Sequence, residues 1–460
     1  MRRDRPGLSG AEYGVDDTPV PFADLESACP TPEVTAARRI DPYWHGLWGD
    51  GSQASWLNRS LLERLGTDRV SRLRDTDTSR TREQAVTEIL TRRRQARLTA
   101  LAAVGMWRTV TAEQLTALTG LRTILDGREM LPAFQAELVE RGTLITELGW
   151  RGPRRTAQLY RPVGTGPDPI TDVLSYPDWV GVTGGYPWTR GHQQDRHNLL
   201  ATELGLRVAE HCDVGAVLGE SLSRHDLLSP GYPGDTGNRC ADLTVVRADG
   251  LRIAVEITGS ISTEFARKAD RWAELLAGTD PNRTGLAVVF VDAAPPDRGE
   301  QVAAEMWRTI RTQVARAAHR IPGSAEARVP ERMTAAHWQW WFPASRNGSP
   351  AFRTLRCVRP TGTAPDRWDT VNLLDPTDLL APEAATGDAA AAANCSALFG
   401  VPHWLREKHP APDFDQVLLR RAGITAAPKL LFRDPVTMRR TMTEPLSAQP
   451  GWRPGQWRDR

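Results

Sequence analysis

The sequence predicts an α+β protein made of two consecutive modules, and three observations carry that expectation. A chain of 460 residues is long for one hydrophobic core. Between residues 85 and 163, apolar positions first recur at helical spacing and then alternate as in a hairpin. From residue 195 onward, amphipathic helices and short apolar strands succeed one another, the pattern of a sheet covered by helices.

Composition narrows the class. Hydrophobic residues make up 40% and charged residues 25%, which suffices for ordinary globular cores. The net charge is only +2, so a surface for nucleic acid has to be a local patch rather than a global excess. Lysine occurs only at Lys268, Lys408 and Lys429, so each lysine stands out against an arginine background. The cysteines Cys29, Cys212, Cys240, Cys357 and Cys395 are scattered, without the short spacings of a zinc knuckle or redox pair. Dispersed thiols fit a reducing cytoplasm. No long apolar run or signal sequence is legible, so no membrane association is expected.

Residues 1–84 read as a mostly disordered tail. They carry an aromatic segment of Tyr43, Trp44, Trp48 and Trp56, which should pack onto a later part of the chain. The first module, 85–163, opens with Ile89, Leu98, Leu101, Ala102 and Met106 at helical spacing. Thr111 then caps a short helix over 112–118, which Gly120 closes. A longer helix is predicted over 128–141, with Leu131, Phe134, Leu138 and Val139 on one face and Gly142 at its end. Strands at 144–148 and 157–163 flank the turn from Trp150 to Arg155. Helix, short helix, longer helix and hairpin is the order of a winged helix-turn-helix domain.

The second module, 190–320, starts with a helix over 195–211. Strands follow at 216–222, 241–247 and 252–258, the last two joined by the turn Ala248-Asp249-Gly250. A helix over 263–277, a buried-type strand over 285–291 and a helix over 300–319 complete it. The expected product is a mixed four-stranded sheet flanked by helices. Residues 330–460, with Trp338, Trp340 and Trp341, read as a Trp-rich, partly ordered extension.

Charge concentrates in the first module. Between residues 92 and 161, twelve arginines face six acids, so DNA is the expected partner. Arg151, Arg154 and Arg155 lie together on the predicted wing turn, where they can follow phosphates, and Arg128 heads the third helix. That helix also carries Glu129, Glu137 and Glu140, which speak against base reading and leave a protein-interaction face as the alternative.

Chemistry concentrates in the second module. Asp242 opens one strand of the hairpin and Glu256 lies on the other, each among apolar residues where an unpaired charge is expensive. Two carboxylates side by side on adjacent strands are a natural oxygen site for magnesium. Glu203 on the preceding helix is the candidate supporting acid. Lys268 on the following helix is the candidate for neutralising a scissile phosphate.

The order helix, strand, hairpin, helix, strand with Asp242 and then Glu256 resembles the PD-(D/E)xK nuclease fold. Where that family usually has lysine, two residues after the second carboxylate, this chain has Thr258. Lys268 fits the variant in which the lysine has moved to the neighbouring helix. More widely, a winged helix followed by His197-Asn198-Leu199-Leu200, Ala241-Asp242, the run Val255 to Ser260 and Ala266-Arg267-Lys268 is similar to the replication-relaxation family of actinobacterial and plasmid-borne proteins. The resemblance spans about residues 85–320. It implies work on DNA in the replication or mobilisation of a plasmid or mobile element, alongside replication or mobilisation proteins. Two readings of the chemistry stay open at this point: a magnesium-dependent nuclease, or a non-catalytic DNA-binding regulator or relaxosome accessory protein with a degenerate nuclease-like domain.

Overall fold

The computed structural model describes residues 9–27, 34–49, 52–65, 80–145, 156–164, 169–184, 186, 188, 195–229, 232, 234, 239–279, 285–361, 367–379, 399–407 and 445. The chain is mixed α+β and divides into two compact units. One combines residues 1–31, 35–51 and 203–393, and the other combines 32–34, 52–202 and 394–460. In chain order the strands are Val20–Pro21 (β1), Gln53–Leu57 (β2), Val110–Thr111 (β3), Val139–Ile145 (β4), Thr156–Pro162 (β5), Ala216–Gly219 (β6) and Leu243–Val246 (β7). They continue with Arg252–Thr258 (β8), Leu286–Asp292 (β9), Met333–His337 (β10), Asn347–Gly348 (β11), Arg356–Pro360 (β12) and Trp368–Asn372 (β13).

The first unit is organised by a seven-stranded sheet in the order β13-β12-β10-β9-β8-β7-β6. Every residue of β9 is buried, as expected for a central strand, and β8 and β10 run parallel to it on either side. Parallel neighbours need crossover connections, which the helices Glu264–Ala277 and Glu300–Arg320 supply. The first of these buries Phe265, Ala269, Trp272 and Leu276, one stripe at helical spacing. The β7–β8 turn closes as the sequence predicts, with Gly250 at φ 92°, a conformation that a side chain would resist.

The predicted four-stranded sheet is therefore incomplete. Its four members are β6 to β9, and β10, β12 and β13 come from the region expected to be peripheral. Trp338, Trp340 and Trp341 are almost fully buried because they follow directly on β10. The expected tail is also partly structural. Val15 and Phe22 are buried, and β1 pairs with β11. The aromatic segment packs on later residues of this unit. The Tyr43 hydroxyl donates to Ala294 O at 2.7 Å, and the Trp48 indole donates to Ala293 O at 2.7 Å.

The second unit has a four-stranded sheet in the order β2-β4-β5-β3, with the helices Arg82–Thr91, Arg94–Trp107 and Ala112–Thr119. Thr111 and Gln114 form a reciprocal capping box at the start of the last of these, and Gly120 ends it in the left-handed region. The predicted helix over 128–141 does not form. Its helical part is Leu131–Gln135, Glu137 takes φ 58°, and β4 begins at Val139. Gly142 stops no helix. It sits in mid-strand opposite Trp56 of β2, whose ring lies where a Cβ would come within 2.6 Å. Among the described residues no helix is long and apolar enough to cross a membrane.

Candidate functional site

The candidate centre grows out of the β6–β7–β8 edge of the large sheet. Residues 223–225 and 239–241 form a short antiparallel ladder. Its bonds run from Ala241 N to Ser223 O at 2.8 Å and from His225 N to Arg239 O at 3.0 Å. This ladder delivers Asp242 to the start of β7. Leu243, the first residue of β7, pairs with Val255, and Asp242 directly precedes it. Asp242 N donates to Val255 O at 3.0 Å, and the Asp242 carboxylate accepts from Ile257 N at 2.6 Å. Asp242 is near enough to Glu256 for its charge to act on that carboxyl.

Glu256 is buried at 1% exposure. Its Oε1 accepts from the Trp272 indole at 2.6 Å, and its Oε2 is ion-paired with the Lys268 ammonium. Lys268 and Trp272 are four residues apart on one helix and therefore share a face. Burial pushes the Glu256 carboxyl up to about 7; Lys268 opposes the rise and Asp242 adds to it. For Lys268, burial works to lower the ammonium, but the attraction of Glu256 and Asp242 outweighs it and holds the group above its ordinary value. The lysine side chain keeps a third of its surface exposed, so the cluster has an open side. Thr258 ends β8 as a buried residue, and it supplies no cation where the usual lysine would stand.

Glu203 is not part of this centre. It is sealed at 0% side-chain exposure, where Arg39 holds it through contacts of 3.0–3.2 Å and Arg207 through one of 3.1 Å. Arg207 also binds Asp41 at 2.9 Å, and Arg39 pairs with Glu210. The supporting acid expected from sequence is thus a member of a buried ion network. One of its two arginine partners, Arg207, lies one turn along the same helix, but the other, Arg39, lies 164 residues away in the supposed tail, which no local pattern announces.

The DNA-facing expectations fare unevenly. Arg151, Arg154 and Arg155 lie outside the described residues. Arg128 is largely exposed, at 79% of its side chain, and pairs with Asp126. Several arginines in the basic excess are committed internally: Arg93 to Glu129 at 2.8 Å, Arg97 to Glu88 at 2.8 Å, Arg94 to Asp178, and Arg161 to Glu140 at 2.7 Å. Arg161 also binds Asp195 at 2.9 Å and stacks over the Trp56 ring at 3.8 Å.

Sequence reading passed over two neighbours of the centre. His225 places its ring 4.4 Å from that of Trp272, and Trp272 in turn holds Glu256. Trp272 had a legible signal, its position one turn after Lys268. His225 had none, because the ladder that positions it is a tertiary feature. Among the described residues no group of three or more His, Cys, Asp or Glu side chains is arranged to hold a metal. Comparison with known proteins gives no match for this chain among family models, curated proteins or solved structures.

Proposed function

We propose that this is a DNA-binding protein whose larger unit carries a magnesium-dependent centre for phosphodiester hydrolysis. The observation that carries the reading is the juxtaposition of Asp242 and Glu256 across β7 and β8, with Lys268 reaching the same place from the next helix. The donor set fits the ion: magnesium prefers oxygen, is commonly held by one or two carboxylates and keeps much of its water. When bound, it would polarise a phosphoryl oxygen and lower the pKa of a bound water. Asp242 and Glu256 would hold it. Lys268 would neutralise charge on the phosphate. The Trp272 indole would keep Glu256 in orientation.

Residues 80–162 have the helix, helix, hairpin order that supports a winged helix as the DNA-binding part, although the shortened Leu131–Gln135 segment favours backbone contacts over base reading. A role in plasmid or mobile-element replication or mobilisation, with the proteins of those processes as partners, rests on the sequence resemblance alone. A second reading has its own observation. Both oxygens of Glu256 are engaged by protein groups, as in a closed ion pair. On that reading the chain is a non-catalytic DNA-binding regulator or relaxosome accessory protein with a degenerate centre.

Calorimetric titration of manganese into the full chain, with a plasmid-nicking assay alongside, separates the two. The nuclease reading expects binding that Asp242→Asn and Glu256→Gln each abolish, and nicking that Lys268→Ala slows while metal still binds. Absence of binding at millimolar manganese with DNA present would retire it in favour of the regulator.

A further inference from the structure

Basic side chains gather on one flank of the carboxylate pair, and the metal reading leaves them unused. The ladder that delivers Asp242 carries Arg224 and Arg239 on its two strands, paired through the Arg224–Cys240 bridge and the bond from His225 N to Arg239 O. Opposite them, the helix Glu264–Ala277 presents Arg271 one turn after Lys268 and directly before Trp272. The His225 ring, carried by the ladder, lies 4.4 Å from that of Trp272 on the helix. Burial first, and then the fields of Arg239, Arg271, Lys268 and Arg224, lower the imidazole to about 4, so it is neutral near pH 7. Asp226 answers Arg224 at 3.0 Å. Arg239 faces His225 across the ladder, and Arg271 directly precedes Trp272 on the helix.

We infer that Arg239 and Arg271, flanking His225 and Trp272, form a phosphate subsite beside the Asp242–Glu256–Lys268 centre. The ligand class is the phosphodiester of a nucleic-acid strand, held next to the phosphate that faces the carboxylates. Three features support that class. Two guanidinium groups suit the planar, two-point recognition of a phosphate. Uncharged His225 offers a hydrogen bond without repelling either arginine. The arginines also offset the negative charge of Asp242 and Glu256, which by themselves would repel a polyanion. The inference rests on the nucleic-acid reading of the centre and adds which residues take the strand and where.

The test uses the full chain in EDTA, so that no metal contributes, with a labelled single-stranded oligonucleotide and its duplex titrated over a range of salt. Each neutralised phosphate contact contributes about 0.7 to the log–log salt slope for a single strand and about 0.9 for a duplex. Arg239→Gln and Arg271→Gln should each reduce the slope by about that amount on the form the site accepts. Arg271→Lys, which keeps the charge, should retain the slope and guards against loss through misfolding. Unchanged slopes in both glutamine variants overturn the subsite, even if manganese binds and plasmid is nicked. Reduced slopes without manganese binding support the subsite and sink only the metal reading. No measurable oligonucleotide binding by the parent chain overturns both.

Discussion

The Glu203 cluster and the Asp242–Glu256 cluster lie in the same unit and use the same chemistry, carboxylate against cation, yet their surroundings differ. Around Glu203, two arginines face three acids, and every side chain involved is at most 2% exposed. Each carboxylate there contacts an arginine, and Ala36 N adds a bond to Glu210 at 2.8 Å. Around Glu256, two acids share one lysine, and that lysine is a third exposed. The first arrangement is a clamp that holds residues 36–41 against the helix Asp195–His211. The second has one member, Lys268, that stays a third exposed, so a ligand can reach it from solvent. Proximity of acid and base therefore does not separate structure from function here; access does.

Breaking the clamp should give the largest effect. Arg39→Met leaves Glu203 and Glu210 buried without their shared partner, and should cost about 3–5 kcal/mol of stability. Urea denaturation followed by tryptophan fluorescence measures it, and a loss below about 1 kcal/mol would mean that the network clamps nothing. In the same preparation, Glu203→Gln should leave manganese affinity where it was, since Glu203 cannot reach the centre. A drop in affinity would restore it as a ligand and erase the contrast between the clusters.

A middle-sized effect follows from the titration of Glu256. Its folded-state value, about 7, lies above its unfolded value. Its contribution to stability is thus fully present in acid, below the unfolded value near 4.3, and is lost as pH rises through the folded one. In EDTA, Glu256→Gln removes that loss, so the variant should gain on the parent by about 2 kcal/mol between about pH 5 and pH 8. Parallel pH profiles for parent and variant would show that Lys268 already compensates Glu256 fully, and that the two clusters do not differ.

The smallest effect belongs to the open edge. Lys268→Met should change stability by less than about 1 kcal/mol, because a partly exposed pair is screened and Glu256 can protonate when its partner goes. A cost as large as that of Arg39→Met would place Lys268 in the frame of the fold rather than at the service of a ligand.

Local chemistry made much of this legible in advance. The helix Asp195–His211 and the strand Arg252–Thr258 carry their periodicity on their faces, and the Thr111 cap, the Gly120 stop and the Gly250 turn are each written in a few residues. The hairpin of Leu243–Val246 with Arg252–Thr258 was legible in the same way. Where two local readings competed, contact decided. Leu131, Phe134, Leu138 and Val139 suit a helix face, but Glu137 in the left-handed region breaks the helix, and Leu138 and Val139 are buried at the start of β4 instead.

The strand Met333–His337 shows the limit most clearly. Met-Thr-Ala-Ala-His has little intrinsic strand character, yet all five residues are buried beside β9 because the crossover helix Glu300–Arg320 returns the chain there. By itself, then, the sequence determined which segments are helix or strand wherever period, cap and turn agree, and it drew attention to Glu256 and Lys268, which the structure joins in an ion pair. Only the tertiary structure decided that the sheet has seven strands, that Glu203 joins Arg39 in a buried ion network, and that the His225 ring meets that of Trp272. Those outcomes depend on which distant groups share one buried space, and the free energy of a buried charge is set by its partners rather than by its place in the chain.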